Sequence, residues 1–223
     1  MSIWSRISAA LAALASGEAL SAVFDRLRTP PEKSVAFAIA VIALGAKLAK
    51  ADGTVTRNEV RAFREVFVIP EAEEANAARV FNLARQDVAG FDVYARRIAA
   101  LFEDGHAVLQ DLMEGLFHIA TADGDYHEAE DAVLHQVADI FGLSEREFRS
   151  LRARCVPDAD PDPYEVLGVT PDMPIAEIRS AWRRAVRDSH PDVMMARGVP
   201  EEAIRMAEQR LIALNRAWEE ISG

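Results

Sequence analysis

The stretch Ile175-Ala176-Glu177-Ile178-Arg179-Ser180-Ala181-Trp182-Arg183-Arg184-Ala185-Val186-Arg187-Asp188-Ser189-His190-Pro191-Asp192 decides the fold of the second half of this chain. At 100° per residue, Ile175, Ile178, Trp182, Ala185 and Val186 fall on one side of a helix, and Arg179, Arg183, Arg184 and Arg187 fall on the other. Pro174 suits the first turn. The helix runs toward His190, where Pro191 disfavours helical geometry in the residue before it and forces an exit. Its apolar stripe needs a cover, which Ile204, Ala207, Leu211, Leu214, Trp218 and Ile221 offer at three- and four-residue steps. The simplest arrangement is an antiparallel helical hairpin with His190-Pro191-Asp192 in the loop at its tip.

Upstream, Asp162-Pro163-Tyr164-Glu165 sets a capping aspartate, a proline at the first helical position and a glutamate at the third. Gly168 closes this short helix after Leu167, and Tyr164 and Leu167 are expected to brace the hairpin. Before it, residues 156–162 form an acidic, proline-punctuated linker around Pro157-Asp158-Ala159-Asp160-Pro161. Thr29-Pro30-Pro31 marks an earlier joint. The division predicted for the 223 residues is therefore an N-terminal helix in 1–30, a helical domain in 31–155, the linker, and a hairpin module in 163–223.

The middle domain reads as all-helical, with period-3.6 spacing in Phe63, Val66 and Phe67 and again in Val80, Leu83 and Ala84. Val35 to Ala46 is too short to span a bilayer and reads as a buried core helix. A weak repeat relates Ala51-Asp52-Gly53-Thr54-Val55-Thr56-Arg57-Asn58-Glu59 to Ala122-Asp123-Gly124-Asp125-Tyr126-His127-Glu128-Ala129-Glu130, so the domain is expected to hold two related halves. Two readings of the repeat stay open. In one, Asp-Gly ends a helix with glycine left-handed and the next helix starts at a cap, as the spacing of Thr56 and Glu59 suggests. In the other, Asp52, Glu59, Asp123, Asp125 and Glu130 gather carboxylates for a hard cation such as calcium. The caps are preferred, because the alternating acidic ligands of an EF-hand are missing.

At the amino terminus, Ile7 to Phe24 is close to the length of a bilayer span. Most of its apolar residues are alanine, and Glu18 beside Ser16 and Gly17 costs roughly 2.5–3.5 kcal/mol near the middle of a span. Ile3, Ile7, Leu11 and Leu14, then Leu20, Phe24 and Leu27, instead predict an amphipathic helix that packs on protein. The competing reading lays it on a membrane through Trp4 and Arg6.

Composition narrows the function. A formal charge of -11 opposes a sequence-independent grip on nucleic acid. The single Cys155 rules out an internal disulfide and a zinc site of paired cysteines, and fits a reducing compartment. No nucleophile–base set or phosphate-cradling glycine loop is present, so neither an enzyme nor a bound cofactor is expected.

Residues 162–223 resemble the J domain of DnaJ-type co-chaperones. The first-helix signature is Asp162-Pro163-Tyr164-Glu165-Val166-Leu167-Gly168-Val169, the second is Glu177-Ile178-Arg179-Ser180-Ala181-Trp182-Arg183, and His190-Pro191-Asp192 is the family's loop. Trp182 stands where tyrosine is usual, and Pro174 where a polar cap is usual. Residues 33–155, with their repeated Ala-Asp-Gly signature, resemble the TerB-like helical domain, in which divalent-metal binding has been proposed for some members. The two in this order resemble the DjlA family of bacterial co-chaperones.

The resemblance implies a protein that docks on a DnaK-type heat-shock chaperone and triggers its ATP hydrolysis, with the client unnamed. Arg179, Arg183, Arg184 and Arg187 would form the docking face. His190 and Asp192 would couple docking to hydrolysis, and Pro191 would fix the loop. DjlA proteins carry an amino-terminal membrane span; the polar break at Ser16 to Glu18 makes a cytoplasmic chain, or one peripheral at the inner membrane, the expectation here. The rival function is a metal- or stress-responsive sensor in which the TerB-like domain binds a divalent cation and the J domain recruits the chaperone.

Overall fold

The computed structural model describes residues 3–15, 32–51, 66–69, 71–73, 90–102, 105–122, 124, 126–156 and 161–223. These residues form helices and turns, with no strand among them, as the all-α reading requires. Helices α1 (Ile3–Ala15), α2 (Glu32–Ala51), α3 (Phe91–Leu101), α4 (His106–Ala120), α5 (Glu128–Phe141) and α6 (Glu145–Cys155) build the first body. Helices α7 (Pro163–Leu167), α8 (Ile175–Asp188), α9 (Pro191–Arg197) and α10 (Ile204–Ser222) follow.

Over residues 35–44, helix α2 is apolar on every side and covered on every side. Val35 to Leu44 are buried without exception, and α1, α3, α4 and α5 all pack on it. Helix α1 docks on its own domain, as the packing alternative predicts: Ile7 is fully buried, and Trp4, only 2 % exposed, meets Phe67 edge-on at 5.9 Å. The membrane reading assigned Trp4 to a lipid surface, and that side chain is spent in the core. Leu20, Phe24, Leu27 and the polar break at Ser16 to Glu18 lie outside the described residues. Among the described residues no helix is long and apolar enough to cross a membrane.

Sequence caps fix the turns that aim the later helices. Gly142 takes φ +73° and ends α5, and Ser144 starts α6 with its hydroxyl accepting from the Glu147 N–H while the Glu147 carboxylate accepts the Ser144 N–H at 2.7 Å. Asp162 Oδ1 accepts the Tyr164 N–H at 2.8 Å, Pro163 is the first helical residue, and Gly168 at φ +63° closes α7. Val166, Leu167, Val169, Ile178, Leu214 and Ala217 form the small hairpin core, against which Trp182 and Trp218 pack. Their rings stack at 5.2 Å, and Trp182 Nε1 donates to Asn215 at 3.1 Å, so the tryptophan that replaces tyrosine still finds a polar partner.

Three expectations about this module need correction. The periodicity places Ile175 on the apolar stripe, but as the first residue of α8 it lies outside the hairpin core and is 54 % exposed. Ala207 was assigned to the hairpin and instead belongs, with Met194, Val199, Ala203 and Met206, to the core of the first body. The tripeptide is not a free loop, since His190 is the N-cap and Pro191 the first residue of helix α9.

Candidate partner-docking site

Helix α8 presents Arg179, Arg183, Arg184 and Arg187 as exposed side chains, as its periodicity requires. The helix stops because Pro191 has no N–H to continue the ladder. The last i→i−4 bond runs from the Ser189 N–H to the Ala185 carbonyl at 3.0 Å, the Ser189 Oγ donates to the same carbonyl at 2.6 Å, and the His190 N–H closes a tighter turn on Arg187 at 3.2 Å. His190 turns outward with an extended backbone. Its Nδ1 accepts the Asp192 N–H at 3.2 Å and lies 3.7 Å from the Asp192 carboxylate. Both side chains are exposed, His190 at 59 % and Asp192 at 80 %. An imidazole and a carboxylate are thus displayed side by side at the end of an arginine-bearing helix, held by a cap and a proline.

The turn is anchored from behind. The Met194 N–H bonds the His190 carbonyl at 3.0 Å, and the Met194 side chain is buried in the core of the first body. Gly198 at φ +108° ends α9, and Arg197 donates to the Asp188 carbonyl across the turn. The tripeptide is therefore clamped between α8 and the helical domain.

Sequence reasoning missed the polar part of that clamp. Arg210 on α10 donates from Nε to Glu114 at 2.8 Å and from Nη2 to Asp111 at 2.7 Å, both carboxylates lying buried on α4. Arg154 approaches Glu114 and Arg197 approaches Asp111, each at 3.6 Å. Burial pushes Glu114 up, but Arg210 and Arg154 outweigh it and hold its carboxyl below the usual range. Burial wins at Asp111, raising it against the pull of Arg210 and Arg197. The available signal was Asp111 and Glu114, two acids one turn apart among the apolar residues Val108, Leu109, Leu112, Met113, Leu116 and Phe117, a pattern that calls for a buried cation.

The metal reading gains no support from the described residues. Glu130 is used as a cap, its carboxylate accepting the His127 N–H at 2.9 Å, and Gly124 is left-handed at φ +93°, as the capping alternative predicts for the second copy. Asp52, Glu59, Asp123 and Asp125, and the Thr56 cap, lie outside the described residues. Glu114, His118 and Cys155 bring ligand atoms within 4.8 Å of one another, yet two guanidiniums already hold Glu114 and oppose a cation there. Burial, and then the Glu114 charge, push the Cys155 thiol up, so it behaves as a buried apolar residue and not as a reactive one.

Comparison with known proteins agrees with this geometry. Residues 38–153 match the family model for tellurite resistance protein TerB, and residues 162–222 match the model for the DnaJ domain. The chain is 29 % identical over 196 residues to co-chaperone protein DjlA of Coxiella burnetii, covering 78 % of this chain and 72 % of that one. It is 27 % identical over 216 residues to co-chaperone protein DjlA of Photobacterium profundum, covering 85 % and 78 %. No solved structure matches it. With a TerB match over more than half its length, a DnaJ domain behind it and DjlA relatives along most of its residues, the chain belongs to the TerB family in its J-domain-bearing, DjlA-like form.

Proposed function

We propose that this protein is a co-chaperone that docks on a DnaK-type chaperone through α8 and the His190-Pro191-Asp192 turn and accelerates its ATP hydrolysis. The helical domain of residues 31–155 selects the client or the location, and residues 163–223 act as the J domain. The protein is itself no enzyme; the bond it breaks is in its partner's nucleotide. It works in the cytoplasm, where such a partner and its ATP are found.

One observation carries the reading: an exposed face of four arginines ends directly in an exposed histidine that caps the next helix and an exposed aspartate in that helix's first turn. Residues 175–189 hold those four arginines against Glu177 and Asp188, within a chain of net charge -11. A local positive face of this kind steers onto an acidic groove and sets the register of docking. The capped turn then presents fixed polar groups without a further ordering cost. The names of the relatives point the same way.

The test is single-turnover ATP hydrolysis by a DnaK-type chaperone. The parent chain is expected to accelerate it, and His190→Gln to lower that acceleration more than about tenfold, since an exposed cap residue is lost without disturbing either core. Raising salt from 50 to 300 mM is expected to weaken the parent's effect through screening. Equal stimulation by His190→Gln and the parent would overturn the assignment.

A further inference from the structure

We infer that the helical domain supplies the second wall of the docking surface, so that the seam between α6 and α8 receives acidic side chains of the docked ATPase. This inference rests on the function proposed above. The two bodies meet at fixed geometry, because Arg210 bridges Asp111 and Glu114 while Met194, Val199, Ala203, Met206 and Ala207 lie in the first body's core. A partner seated on α8 therefore meets α6 at one defined position.

The seam is open there. A cavity of about 330 Å³ lies between the bodies, and its lining includes Ser189 and Asp188, the two residues that precede His190. A partner covering α8 and the tripeptide thus covers this cavity as well.

Its charge selects what covers it. Arg146 from α6, Arg184 from α8, Arg154, Arg197 and Arg210 line it, against the carboxylates of Glu147 and Asp188. Glu147 is already engaged by His106 and Gln110, each at 2.6 Å. Among the described residues Arg184 has no carboxylate partner, and the side-chain bond of Arg146 is a 3.9 Å contact to the Met173 sulfur. Arg154, Arg197 and Arg210 are already neutralised from beneath by Glu114 and Asp111 on α4, so the cations the seam leaves for a partner are Arg146 and Arg184. A neutral surface closing over Arg146 and Arg184, both exposed, would strip the water from their guanidiniums and leave them unpaired. A surface carrying carboxylates pairs them, in fork geometry where the approach allows it.

Arg146 separates this inference from the function it rests on, because it belongs to the helical domain and lies outside the J-domain signatures. It is exposed in the first turn of α6, where a glutamate suits the helix dipole, so Arg146→Glu is expected to fold normally. The full chain is titrated into a DnaK-type chaperone while single-turnover hydrolysis is followed. Arg146→Glu is expected to raise the half-maximal concentration about 3–10-fold, an effect that shrinks with added salt. Arg97→Glu, the same charge change on α3, which packs on α2 and α5, is expected to match the parent. If Arg146→Glu titrates like the parent, or no worse than Arg97→Glu, the second wall is absent while the function stands. If the parent does not stimulate at all, the proposed function has failed and the inference with it.

Discussion

Arg210→Ala is expected to destabilise the chain by about 3 kcal/mol, the lower end of the 3–5 kcal/mol seen when one partner of a buried ion pair is removed. The guanidinium is only 10 % exposed and is the group closest to two carboxylates that are essentially inaccessible to water. Its removal leaves Glu114 facing Arg154, and Asp111 facing Arg197, each across 3.6 Å, which recovers part of the loss. Arg210→Lys is expected to fall in between, because an ammonium presents one point of charge where the guanidinium bridges two acceptors. Urea unfolding followed by tryptophan fluorescence measures both, and a change below 0.5 kcal/mol for Arg210→Ala would contradict the account. The pH dependence has a definite sign. Glu114 is held below its unfolded value, so its contribution is present above that value and is lost as pH falls through the depressed one. Arg210→Ala removes the largest cause of that depression, so the gap between variant and parent is expected to narrow as pH falls below about 4.

Met194→Ala couples stability to function. A buried methionine cut to alanine costs about 2–5 kcal/mol, and a site on a seven-residue helix can settle into the space, which places the expected loss near 2 kcal/mol. Met194 is 1 % exposed, and its backbone N–H bonds the His190 carbonyl. Loosening it frees the turn that displays His190 and Asp192. ATPase stimulation is therefore expected to fall at saturating concentration, at a temperature where the variant remains folded by circular dichroism. Leucine at the same position is expected to restore both properties, since it keeps most of the buried volume. Stimulation equal to the parent in a measurably destabilised Met194→Ala chain would show that the anchor is structural only.

The hairpin, its caps and its arginine face were legible in the sequence because each rests on local rules. Proline, glycine and capping side chains act within four residues, and a 3.6 period tells which face of a helix is apolar. Periodicity does not tell what covers that face. Ala207 and Leu214 lie on one stripe of one helix, yet Ala207 belongs to the first body's core and Leu214 to the hairpin's. Arg210 stands between them and looks like a break in the stripe until Asp111 and Glu114 are placed against it, 99 and 96 residues away in the chain. The turn was misread for a related reason. Proline after histidine predicts only a stop, whereas the His190 ring nitrogen also starts the next helix.

Helix α10 has a consequence that its two cores impose jointly. It is a single rod with one end keyed into each body, so the angular phase of Ala207 and the phase of Leu214 cannot be set independently. One residue inserted between them would turn one end by 100° relative to the other and advance it by 1.5 Å. Either the methionine-lined end or the tryptophan-lined end would then present its wrong side. The length of this helix therefore fixes the rotation of the hairpin core against the helical domain, and with it the direction in which α8 presents its arginines beside the anchored His190.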